Sequence, residues 1–249
     1  MTVHFIGVGP GSADLLTIRG MKLIKQSPIC LYAGSLISKK ILNFCPKNAI
    51  KKNTAYMNLD KIFHEFKKAE KKKLDVSRLH SGDLSIWSAI GEQIRLLKSE
   101  KISYTITPGV PSFSAASAVI EKELTLPGIS QSVILTRTSG RATPLPASED
   151  IKEIAKTRAT LAIHLSIQNL KELINKVLPF YGEECPITIL YKISHPDQKI
   201  YSGTLKTIES MIPKSITRTA LILVGKVLAS SNFDNSSLYS KHYKRRYKK

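Results

Sequence analysis

Three short stretches of this 249-residue chain join glycine, proline and small polar residues in patterns that open the backbone to a ligand. They are Gly7-Val8-Gly9-Pro10-Gly11-Ser12-Ala13-Asp14, Ser81-Gly82-Asp83-Leu84-Ser85 and Pro108-Gly109-Val110-Pro111-Ser112. The first has the composition of a dinucleotide loop but not its spacing, because G-x-G-x-x-G requires glycine where Ser12 stands. Pro10 also removes a backbone N–H that a pyrophosphate cradle would use. The chemistry that suits this loop is close backbone approach to a ligand without phosphate. Taken alone, each stretch fits a tight turn with no ligand equally well.

A fourth stretch, Arg137-Thr138-Ser139-Gly140-Arg141-Ala142-Thr143-Pro144-Leu145-Pro146, is basic and has no hydrophobic period. A loop of that length reads either as a lid or binding segment or as a plain connector. The six histidines are scattered, with no His-x-x-x-His or His-Glu-x-x-His pair, so no protein-held catalytic metal is expected. Cys30, Cys45 and Cys185 lie far apart without a Cys-x-x-Cys pair, and read as reduced packing thiols of a cytoplasmic protein. No side chain stands out as a general base, and no catalytic residue is named.

These loops need elements to hold them. A strand over residues 3–6 enters the first loop, and Leu15, Ile18 and Met21 then mark one face of a helix. Residues 29–32 form a second strand, and Leu59, Ile62, Phe63 and Phe66 an amphipathic helix. A strand-like run over 74–79 leads into the second loop. After it, Ile86, Ile90, Ile94 and Leu97 predict a helix, with Asp83 or Ser85 placed to cap it. A strand over 102–106 enters the third loop, whose small residues continue as a helix to Ala118.

Repeated βα units predict a mainly parallel sheet. After Leu126-Pro127-Gly128 the texture changes. Strands are expected over 132–136, 160–165, 186–191, 199–202 and 220–224, with a helix whose face is Leu170, Leu173, Ile174, Val177 and Leu178. The polar turn Ser194-His195-Pro196-Asp197 joins a hairpin-like pair. The predicted fold class is α/β, in two α/β domains. Residues 1–125 carry the mainly parallel sheet, 126–235 a mixed sheet, and 236–249 a basic tail.

The net charge of +19 suits a polyanionic partner, whether nucleic acid or a small polycarboxylate. Part of it is local, in the lysine run 67–73 at a helix end, where the dipole favours cations. No apolar run reaches the ~18 residues a membrane helix needs, so no membrane partner is expected. The N-terminus, Met1-Thr2-Val3-His4-Phe5, reads as a strand and shows no secretory signal.

At this point a resemblance covers nearly the whole chain. The run from Gly7 to Thr17, His80-Ser81-Gly82-Asp83-Leu84-Ser85-Ile86 and Pro108-Gly109-Val110-Pro111-Ser112-Phe113 resemble three loops of the tetrapyrrole methylases, the class III S-adenosylmethionine-dependent methyltransferases. Within that family, Leu31-Tyr32-Ala33-Gly34-Ser35-Leu36, Gly91-Glu92-Gln93 and the run from Glu123 to Arg137 resemble the branch that methylates C11 of precorrin-4 or cobalt-precorrin-4 in cobalamin (vitamin B12) biosynthesis. Leu84 stands where the family usually has proline, and Trp87 where it usually has tyrosine.

The resemblance implies S-adenosyl-L-methionine held between two α/β domains, in a cytoplasmic homodimer. Carried onto matching positions, the cofactor contacts are Pro10, Gly82, Asp83, Leu84, Ile86, Pro111 and Ser112 from the first domain, and Leu165, Tyr191, Ile193 and Ala220 from the second. A sulfonium cofactor has no phosphate, which agrees with the failed dinucleotide spacing. The implied partner is an acidic tetrapyrrole bearing acetates and propionates. Arg137 and Arg141 are the candidate substrate contacts, because guanidinium forks suit carboxylates. Another corrin ring carbon, or ribosomal RNA, remains the alternative substrate, though nucleic acid is not the expected partner.

Overall fold

The computed structural model describes residues 1–139, 144–241 and 243. They form two compact units, Met1–Ala115 with Lys192–Asp197, and Ala116–Tyr191 with Gln198–Lys249. The division falls inside the helix that follows the third loop, ahead of the Leu126-Pro127-Gly128 turn.

The first unit is built on five parallel strands, β1 (Thr2–Gly7), β2 (Ile29–Tyr32), β3 (Ile50–Asn53), β4 (Val76–His80) and β5 (Ser103–Thr107), in the order β3-β2-β4-β1-β5. Helices α1 (Ile18–Gln26), α2 (Lys39–Leu42), α3 (Leu59–Lys71) and α4 (Gly91–Ser99) supply its covering layers. Side chains alternate across a strand, so each central strand feeds two apolar layers. Val3, Phe5, Leu31 and Val76 meet Ile62, Phe66 and Leu97 in one, while Ile6, Cys30 and Leu79 meet Ile24, Ile41 and Cys45 in the other. Burial on both faces is what a parallel sheet requires. Truncating the fully buried Phe66 to alanine would cost about 3–5 kcal/mol.

Two local expectations are corrected here, and one strand is added. The helix expected straight after Ser85 begins only at Gly91, and neither Asp83 nor Ser85 caps it. The intervening residues include Trp87 (φ 47°) and Ala89 (φ 51°), left-handed positions that no helix contains. In α1, Ile18 is 70% exposed, and Gly20 and Ile24 are the buried positions. A Cβ on Gly20 would lie 3.0 Å from Ile6 Cγ2, so the missing side chain is what lets the helix sit close. The edge strand β3, Ile-Lys-Lys-Asn, carried no strand pattern, and its pairing with β2 alone defines it.

The second unit holds a mixed sheet of β6 (Val133–Arg137), β7 (Thr160–His164), β8 (Pro186–Tyr191), β9 (Lys199–Thr204) and β10 (Ala220–Val224), in the order β6-β7-β10-β8-β9. Only β6 and β7 run parallel. Its helices are the remainder of α5 (Ser112–Val119), then α6 (Ile151–Ala155), α7 (Leu170–Tyr181) and α8 (Ile208–Met211). Leu173, Ile174 and Val177 of α7 share one core with Leu161, Ile163, Ile187, Ile189 and Ile222. Among the described residues, no helix is long and apolar enough to cross a membrane.

Candidate functional site

Because the five strands of the first unit are parallel, the loops leaving their carboxyl ends emerge at one edge. Adjacent strands β1 and β4 then lead in opposite directions, β1 to the β2 side and β4 to the β5 side. That arrangement opens a crevice at the carboxyl edge of an α/β sheet. The three loops read from the sequence meet there. Val8 N donates to His80 O at 2.9 Å, Gly9 N to Gly82 O at 3.1 Å and Gly82 N to Gly9 O at 2.7 Å. The third loop closes on both, since a Cβ on Gly109 would fall 2.2 Å from Gly82 O and 2.6 Å from Gly7 C. Here glycine is a steric necessity.

Asp83 ties the second loop to the third. Its Oδ2 accepts from Gly109 N at 2.9 Å and its Oδ1 from Ser85 N at 2.8 Å. Desolvation works to raise the Asp83 pKa, but the hydrogen bonds from Ser85 and from the Gly109 backbone outweigh it and hold the carboxyl below its ordinary value. Gly82, at φ 66°, faces open space, for a Cβ there would meet nothing within 4 Å. Leu84 turns its side chain into the core and is 4% exposed, so only its backbone is available to a ligand. Pro10, Ile86, Pro111 and Ser112 are half-buried around the same edge.

Four of the backbone donors in these loops are already spent. Val8, Gly9, Gly82 and Gly109 use their N–H groups within the protein, and Pro10 has none. The edge therefore suits a ligand that needs small side chains and open carbonyls, not the N–H cradle of a phosphate site. The turn Lys192–Asp197 belongs to this same unit. Ser12 N donates to Ser194 Oγ at 3.0 Å, and the His195 ring lies where a Cβ on Gly11 would come within 2.4 Å of Cδ2. Ile193 of that turn is buried, at 5% exposure.

In the second unit, Ala220 stands directly opposite Tyr191, and Arg137 opposite His164. Arg137, Leu165, Ala220 and Tyr191 thus gather at one end of the mixed sheet. Leu165 is left-handed at φ 53° and 70% exposed, a strained and apolar position of the kind found at ligand contacts. Arg137 Nη1 donates back to Thr138 O at 3.2 Å, and Thr138 N donates to Ser166 Oγ at 2.7 Å, which anchors the start of the basic loop. Arg141 lies outside the described residues.

Residues 2–209 match the family described as Tetrapyrrole (Corrin/Porphyrin) Methylases. The chain belongs to this family. Over 249 residues it is 52% identical to a precorrin-4 C(11)-methyltransferase of Sinorhizobium sp, covering 100% of this chain and 98% of the relative. It is 42% identical to a cobalt-precorrin-4 C(11)-methyltransferase of Methanocaldococcus jannaschii, covering 99% and 96%. A solved cobalt precorrin-4 methyltransferase, described as a cobalamin biosynthetic enzyme, is 37% identical with a TM-score of 0.88, covering 92% of this chain and 96% of its own.

Sequence reasoning missed a polar cluster under the methylase loops. Arg78, at the centre of β4, is 4% exposed and donates to Thr54 Oγ1 at 2.9 Å and to Gln93 Oε1 at 3.2 Å. His80, 6% exposed, stacks at a tilt beside Phe5, and its Nε2 has no hydrogen-bond partner among the described residues. Burial, followed by the Arg78 charge, pushes the His80 pKa down to about 3, so the imidazole is neutral at neutral pH. A charged residue at the centre of a strand in a mainly parallel sheet was the available signal.

Proposed function

We propose that this chain transfers the methyl group of S-adenosyl-L-methionine to C11 of precorrin-4, or of its cobalt-bearing form, in cobalamin biosynthesis. The end-to-end likeness to the Sinorhizobium enzyme carries this reading. The loops of the first unit fit the cofactor, because their geometry favours a ligand without phosphate. Pro10, Gly82, Asp83, Leu84, Ile86, Pro111 and Ser112 are its proposed contacts there, with Ile193 from the Lys192–Asp197 turn. The proposal extends to Leu165, Tyr191 and Ala220 of the second unit. Gly82 and Leu84 act through backbone; Leu165 offers an exposed apolar side chain.

When bound, the cofactor supplies a methyl group already activated on a positively charged sulfur. The protein's task is then placement. The Gly9–Gly82 bridge and the Asp83–Gly109 bond fix the loops before any ligand arrives. Orientation of that kind supplies up to ~7–11 kcal/mol of barrier reduction. Arg137 and Arg141 engage the substrate's carboxylates, with Arg137 fixed at the strand end by its own loop. The same reading makes the enzyme a cytoplasmic homodimer.

Incubating the purified protein with S-adenosylmethionine and precorrin-4 should add one methyl group by mass, located at C11 by NMR. Methylation of neither the metal-free nor the cobalt-bearing substrate, or methylation at another carbon, contradicts the proposal. A cobalt-bearing substrate is the second reading, favoured by the archaeal relative and the solved cobalt enzyme. Parallel reactions with metal-free and cobalt-bearing precorrin-4 decide between them.

A further inference from the structure

We infer that Arg78 and Gln93 are positioning residues, whose donor-to-acceptor chain holds residues 84–90, with left-handed Trp87 and Ala89, in the path that borders the cofactor loops. This rests on the cofactor reading of those loops. Burying a guanidinium is expensive, and a packed apolar side chain of similar volume is often no less stable. No carboxylate among the described residues balances Arg78, and burial lowers its pKa to about 10. Apolar packing alone therefore gives no reason for the charge. Directionality does.

A guanidinium only donates. Arg78 Nε donates to Gln93 Oε1, which fixes the orientation of that 3%-exposed amide. Gln93 Nε2 must then point the other way, and it donates to Ala89 O at 2.8 Å. Ala89 at φ 51° and Trp87 at φ 47° occupy a conformation costly for residues with a Cβ. A second bond, from Ser88 Oγ to Leu84 O at 2.6 Å, closes the same segment. Through Nη1 and Thr54 Oγ1, Arg78 is also braced against the carbonyl of Tyr32, to which Thr54 donates at 3.1 Å. One buried cation thus carries the position of β2's end to the peptide that shapes the loop. Loosening that peptide moves Leu84 and Ile86, both proposed cofactor contacts.

Trp87 is the single tryptophan and is 42% exposed, so it reports on this segment without any ligand. Gln93→Glu keeps an acceptor and adds a charge partner for Arg78, but has no donor for Ala89 O. It should match the thermal stability of the native protein while its Trp87 emission shifts to the red and is quenched more readily by acrylamide. S-adenosylhomocysteine should bind roughly tenfold more weakly, the worth of one buried hydrogen bond. Arg78→Met, which frees the amide to flip, should shift the same readouts in the same direction. Native emission, quenching and affinity in whichever variant folds overturn the inference. If the native protein fails to bind S-adenosylhomocysteine, the cofactor reading fails instead, and the tryptophan signal alone decides the positioning role.

Discussion

In the first unit all five strands run one way, and three sequence-distant loops arrive at one edge by topology alone. In the second unit, one end of the sheet collects the ends of β6, β7 and β8 with the start of β10. The first edge is closed by backbone. Gly9 bonds Gly82, Gly109 bonds Asp83, and Gly7 and Gly109 leave no room for a methyl group. The second edge presents side chains, with Leu165 exposed and Arg137 at a strand end. A backbone-closed edge is rigid and tolerates little change, while a side-chain edge can vary at small cost. The proposed reading draws the methyl donor's backbone contacts from the first edge and includes Leu165 among its contacts from the second.

The comparison breaks first at Gly109. Gly109→Ala sets a methyl 2.2 Å from Gly82 O and should cost about 3 kcal/mol or more, seen as a large fall in melting temperature. Leu165→Ala, at an exposed position, should change stability by no more than about 0.5 kcal/mol. Equal stability of the two variants would show that the first edge is not closed by backbone.

Acid separates the units next. Folding lowers His80 from 6.5 to about 3, through burial and then the Arg78 charge, and His164 from 6.5 to about 4 through burial. In both cases the unfolded chain takes up the proton first. The stability from each neutral ring is therefore complete above about pH 6.5 and is lost progressively as pH falls toward the folded value. Urea unfolding between about pH 4 and 7 should show that fall, and His80→Gln should flatten it more than His164→Gln. Leu165→Asn relieves its left-handed strain and should stabilise by ~0.5–1 kcal/mol while weakening ligand binding. Unchanged binding would remove Leu165 from the proposed contacts.

Much of the frame was legible because hydrophobic period and turn residues both report local physics. The bounds of β2, β8 and β10 and the buried face of α7 follow from that pattern. What escaped depends on partners far along the chain. Gly20 is buried because Ile6 lies beneath it, and Arg78 is buried because Thr54 and Gln93 receive it. The delayed start of α4 goes with left-handed Trp87 and Ala89, whose backbone has no local sequence signal. The three loops were found by composition, yet only the parallel order of β1, β4 and β5 explains why they meet. The turn Lys192–Asp197 looked like a simple hairpin end, and its place in the first unit has no local sequence signal.

Titration calorimetry of the intact protein and Gly82→Ala, with S-adenosylhomocysteine and then with NAD as a phosphate-bearing control, tests the central claim most directly. The open space above Gly82 and the spent N–H donors predict that S-adenosylhomocysteine binds the native protein and NAD does not. Gly82→Ala should lose roughly tenfold in affinity, about 1.4 kcal/mol, as its Cβ enters the ligand's space. Failure of S-adenosylhomocysteine to bind, binding of NAD in its place, or an unchanged affinity in Gly82→Ala would contradict a phosphate-free cofactor held by the backbone of these loops.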